Sequence, residues 1–134
     1  MLKIDLEVAE QEFNRFIDAM CIDADPTNMG EEDIEEFNEQ KRKIVGAISK
    51  GDLVINETGE PVYTPKRSEN KDPITFYEPT GANLAEQDKR AKGHSYTRLF
   101  TTMGSMTKTN SSRFAKMKMY DLKICQTITI LFLA

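Results

Sequence analysis

The chain closes on Ile128-Thr129-Ile130-Leu131-Phe132-Leu133-Ala134, a run that is apolar nearly all round when wound as a helix. A helix resting on a core hides only one stripe, so this run must sit at the centre of a fold or be covered by another chain. It is far short of the roughly 20 apolar residues that span a bilayer, and no membrane partner is expected. The last residues of a chain are often peripheral, so cover by a partner or a second copy is expected. On that expectation, a chain cut after Thr127 stays folded, becomes more monomeric and loses its partner.

Periodicity upstream gives the remaining elements. Leu6, Ala9, Phe13, Phe16, Ile17 and Met20 recur at three- and four-residue steps, which predicts an amphipathic helix from Leu6 to Met20, ended by the approach to Pro26. Asn28 followed by Glu31 is a capping-box pattern, and Ile34, Phe37, Ile44, Val45 and Ile48 form the buried stripe of a second helix stopped by Gly51. Leu53–Asn56 and Pro61–Thr64 flank a Gly59-containing turn and predict a hairpin, with Pro61 placing the second strand at an edge. Ile74–Tyr77 reads as one more strand. Helices are then expected from Thr80 or Asn83 through Ala91, from His94 to Met103, and from Ser111 or Ser112 to the end, with Gly104–Asn110 as a loop. The class is α+β, mostly helical, with a small antiparallel β element of two or three strands.

Charge divides the chain. Residues 1–64 hold 16 acidic and 6 basic side chains, net −10, and residues 65–134 hold 6 and 12, net +6. The polar stretch 65–72 lies where the sign changes and is the natural linker. The expected organisation is an acidic helix-helix-hairpin lobe (1–64), the linker (65–72), and a lobe of one strand plus helices (73–134).

The candidate chemistry is sparse. Asp23-Ala24-Asp25-Pro26-Thr27-Asn28 hints at a calcium loop, but such loops want Gly at position six and Glu at position twelve, where this chain has Asn28 and Ile34. His94 is the single histidine, and Cys21 and Cys125 stand far apart, so neither zinc ligation nor a nucleophile–base pair is expected. No catalytic, cofactor or metal residues are assigned, and the protein is not expected to be an enzyme. Free thiols and the absence of an apolar leader fit a reducing cytoplasm.

Asp121 falls on the stripe made by Phe114, Met117, Ile124, Ile128 and Leu131. A carboxylate in an apolar stripe is costly unless paired. Either it meets a partner's Arg or Lys or caps a neighbouring helix, or it pairs internally with a base such as Arg98, or the stripe is simply exposed there. The partner-binding set drawn from this reading is Asp121, Ile124, Ile128, Ile130, Leu131, Phe132 and Leu133. The basic run Lys108, Arg113, Lys116, Lys118 and Lys123 could meet phosphates, but the acidic half offers an internal counterpart. The order helix, helix, hairpin also suggests a small winged-helix-like nucleic-acid-binding regulator, the alternative reading. Its reading helix would present Glu31, Glu32 and Asp33 to DNA, so nucleic acid is not the expected partner.

Ile74-Thr75-Phe76, Glu78-Pro79-Thr80-Gly81-Ala82-Asn83-Leu84, Asp121-Leu122 and Phe132-Leu133 carry a family likeness. In these residues the C-terminal half resembles the tail assembly chaperones of long-tailed bacteriophages, although that family often has Asp where Asn83 stands. The resemblance implies a protein of the host cytoplasm that keeps the tape-measure protein soluble and recruits tail-tube subunits; the apolar terminal run, which a second copy would cover, leaves a homo-oligomer as a further expected partner. The N-terminal half lies outside it.

Overall fold

The computed structural model describes residues 4–83 and 95–133. The predicted helix from Thr80 to Ala91 and the histidine His94 fall largely or wholly outside these residues. The element order is α1 (Leu6–Ala19), a 3-10 turn (Pro26–Asn28), α2 (Glu31–Ser49), β1 (Leu53–Ile55), β2 (Pro61–Tyr63), β3 (Ile74–Thr75), α3 (Ser95–Thr107), α4 (Ser112–Ala115) and α5 (Met119–Leu133). This is the expected mostly helical α+β class, with the third strand joined to the hairpin.

α1 forms on the predicted face, burying Ala9, Phe13, Phe16 and Ile17, while Leu6 at its first turn is 63% exposed. Its end is set before Pro26 is reached. Cys21 takes a left-handed conformation (φ 54°), its amide donates to Asp18 O (3.2 Å), and the Ile22 amide donates to Ile17 O (3.0 Å). This is the Schellman closure, normally a glycine position. α2 closes the same way through Gly51 and α3 through Lys108. The predicted cap at Asn28 is not used: Asn28 belongs to the 3-10 turn begun by Pro26, and its amide group donates to Asp23 (3.0 Å). Gly30 takes the N-cap place of α2 without a side-chain bond.

The sheet order is β1-β2-β3, both pairs antiparallel, with Val54 opposite Val62 and Tyr63 opposite Ile74. Pro61 therefore begins the central strand, not an edge strand. It is tolerated because it is the first residue, where its carbonyl still accepts from the Phe76 amide (2.9 Å) and the ladder to β3 stops. Gly59 (φ 86°) turns the hairpin against the end of α1, where an added Cβ would stand 2.3 Å from that of Ala19. Arg15 ties the same helix to the hairpin, donating to Ile55 O (2.6 Å) and Asn56 O (2.7 Å).

Two expectations are not met, one loop and one continuous helix. α3 runs on through Gly104 to Thr107, because a glycine there lets residues 109–111 pass close: an added Cβ would lie 2.9 Å from Thr109 O. The predicted single last helix is interrupted at 116–118, where the Lys118 amide turns aside to donate to Ser68 Oγ (3.0 Å), leaving α4 and α5.

α5 packs on α2 and α3, and Phe132 meets Phe16 of α1 edge-on with ring centroids 5.4 Å apart. Buried residues of both halves, among them Phe13, Ile44, Leu53, Tyr63, Met103, Phe114 and Ile128, belong to one apolar cluster. The division into two lobes at 65–72 is therefore not a division of the core.

Candidate functional site

Asp121, the residue that broke the apolar stripe, is fully buried at the start of α5. Its Oδ1 accepts from the Tyr63 hydroxyl (2.6 Å) and the Lys66 amide (2.7 Å). Its Oδ2 accepts from the Arg67 amide (2.9 Å), the Ser68 amide (2.9 Å) and the Ser68 hydroxyl (2.7 Å). Three successive backbone amides thus wrap one carboxylate, an anion nest supplied by the segment expected to be a linker. Burial pushes the carboxyl pKa up, but the hydrogen bonds from Lys66, Tyr63, Ser68 and Arg67 outweigh it and hold the value down at about 2. Burial, and then the bond to Asp121, push the Tyr63 hydroxyl far up, so it remains a donor. Asp121 is spoken for by its own chain. The donors that hold it are Tyr63, Lys66, Arg67 and Ser68.

The remaining members of the partner-binding set separate by depth. Ile128 and Leu131 are core, Ile124 and Phe132 are half-buried, and Ile130 and Leu133 are each 42% exposed. The terminal run is thus covered mainly from within, because α5 lies between α2 and α3.

Exposed Ile130 borders a groove of about 480 Å³ that sequence spacing did not reveal. Ile22, Met29, Phe37 and Leu131 form its apolar lining, and Asp23, Asp33 and Glu36 bring acid to it. Ile22 and Met29 come from the α1–α2 connection, whose pattern predicts only a turn and a cap. Apolar residues inside such a polar connection were the available signal.

A second groove, of about 570 Å³, lies further along the same two helices. Arg42, Lys43, Lys50 and Lys123 surround Gly46, Ala47, Tyr120 and Ile124. The Tyr120 ring draws cations to its faces: Lys50 Nζ and Lys66 Nζ stand 5.9 and 5.8 Å from its centroid and Arg67 Cζ 5.1 Å. The ion pairs among the described residues, Arg15–Glu12 and Lys41–Glu10, lie on α1 and α2, and neither joins the basic run to the acidic half. The expected internal neutralisation is therefore not made through direct pairs there.

Cys21 is exposed and Cys125 buried, with the Cys125 thiol 3.8 Å from Met117 Sδ and its pKa pushed up by burial. Among the described residues no group of three or more His, Cys, Asp or Glu is placed to hold a metal, and no helix is long and apolar enough to cross a membrane. Comparison with protein-family models, curated proteins and solved structures found no match. The class the fold defines is a mostly helical α+β protein, with two grooves of opposite charge along one helix pair.

Proposed function

We propose that this chain is a tail assembly chaperone of a long-tailed bacteriophage, acting in the host cytoplasm on the tape-measure protein and helping to recruit tail-tube subunits. The observation that carries the reading is the acidic, apolar groove where the exposed Ile130 of α5 meets the α1–α2 connection. It joins the end of the region resembling that family to the half lying outside it. A groove with Phe37, Met29 and Ile130 in its lining and Asp23, Asp33 and Glu36 beside them suits an amphipathic segment with one or two apolar anchors and flanking Lys or Arg. Covering such a segment keeps a long, apolar-rich protein from aggregating.

Co-expression tests it. On this reading, a tape-measure protein from the same phage is expected to stay soluble and co-purify with the wild type. Ile130→Asp, which puts a charge on an exposed groove wall, is expected to return it to the insoluble fraction while circular dichroism of the variant is unchanged. Equal solubility with and without this chain would sink the reading.

A further inference from the structure

The two grooves along α2 and α5 complement each other. Phe37 and Gln40 of α2 lie with Ile130 and Leu131 of α5 in the first, and Ala47 and Lys50 with Tyr120 and Ile124 in the second, so the helices run antiparallel. On α2, Glu36, Gln40, Lys43, Ala47 and Lys50 follow at four- and three-residue steps, which places them on one line of the helix. The two grooves are therefore successive parts of one seam, acidic at Asp33 and Glu36, basic at Lys43, Lys50 and Lys123.

We infer that this seam is the face through which two copies of the chain pair, related by a two-fold axis near the middle of α2. With that axis perpendicular to α2 the seam is reversed, so the acidic groove of one copy meets the basic groove of the other, twice over. Pairing without that reversal would set like charge on like. Both grooves have apolar linings, through Phe37 and Ile130 at one end and Tyr120 and Ile124 at the other, so contact also removes apolar surface from water. A polyanion such as duplex DNA would match only the basic half and be repelled by the other. The pairing stands on the order of charges and does not rest on the chaperone reading. If both hold, the pair is the idle form, with the groove covered until a partner segment takes it.

Sedimentation velocity of the full chain over a range of concentrations, in low and high salt, tests the inference. The wild type is expected to pass from monomer to dimer with concentration, less so in high salt because exposed charges are screened. Glu36→Lys and Lys123→Glu alter exposed side chains and should leave the circular dichroism spectrum unchanged. Each alone is expected to weaken self-association at least tenfold, about 1.4 kcal/mol. An equimolar mixture of the two is expected to recover the dimer, because each reversed charge then faces its opposite. A wild type that stays monomeric, a dimer indifferent to both reversals, or a mixture that fails to recover would overturn the pairing. So would a monomer that binds duplex DNA at physiological salt and loses it in Lys123→Glu. Lys123 does not line the acidic groove, so Lys123→Glu losing the dimer while still holding the tape-measure protein separates this inference from the proposed function.

Discussion

Ser68 and Asp121 are joined twice: the Ser68 amide and hydroxyl both donate to Asp121 Oδ2, at 2.9 and 2.7 Å. The same hydroxyl oxygen accepts from the Lys118 amide at 3.0 Å. One side chain thus fastens the 65–72 segment to α5 and occupies an amide at the break between α4 and α5.

Asp121→Asn is expected to destabilise the fold by about 3 kcal/mol or more, because it removes the charge and turns an NH2 group toward N–H donors. Ser68→Ala removes one donor and one acceptor and should cost about 1–2 kcal/mol. Urea unfolding of both variants beside the wild type checks the order. An Asp121→Asn protein as stable as wild type would contradict the nest.

The same carboxylate makes stability depend on pH. Its folded pKa, about 2, lies below the ordinary unfolded value near 4. Its contribution, about 2–3 kcal/mol, is full above the unfolded value and is lost as pH falls through the folded one. Unfolding free energy measured between pH 5 and pH 2 should fall more steeply in the wild type than in Asp121→Asn.

Cutting the chain after Thr127 is now expected to abolish folding, reversing the outcome expected from the sequence. Ile128 and Leu131 would be lost from the core, each contributing about 1.5–3 kcal/mol, and half-buried Phe132 would be lost from its edge, together a large share of the whole stability of a small domain. Ile130→Ala, at an exposed site, should change stability by less than about 1 kcal/mol. Circular dichroism melts of the two forms decide it.

Cys21→Gly is expected to raise stability by about 0.5–1 kcal/mol, since it relieves a left-handed residue at the close of α1. Gly104→Ala should lower it, because the added methyl meets backbone of residues 109–111. Thermal melts would show opposite shifts, and a stabilised Gly104→Ala protein would rule out the close approach.

Thiol titration of the native protein should find Cys21 reactive and Cys125 protected, the latter opening only on unfolding. Fast modification of both thiols would contradict the packing around Met117.

Local pattern sufficed where structure is locally made. The apolar steps of α1 and α2, the Gly51 stop, the Gly59 turn and the third strand at Ile74 all depend on neighbours a few positions away, and all were legible. The helix closures at Cys21 and Lys108 were not, since the glycine that marks such a closure is absent and only the observed hydrogen bonds show a non-glycine residue held left-handed there. Pro61 was misplaced because its rule concerns strand interiors, and only the pairing with β3 shows that it begins the strand. The sequence marked Asp121 as costly and the terminal run as needing cover, which is as far as composition and periodicity reach. What satisfies each is decided across distance: amides of 66–68 turned toward a carboxylate more than fifty positions away, and α2 and α3 closing over a helix at the end of the chain. Residues 65–72 look like a linker because most of them are polar or charged, yet Ser68 is buried and the segment's backbone N–H groups, which carry no mark in the sequence and which only a tertiary fold can aim, hold the carboxylate with it.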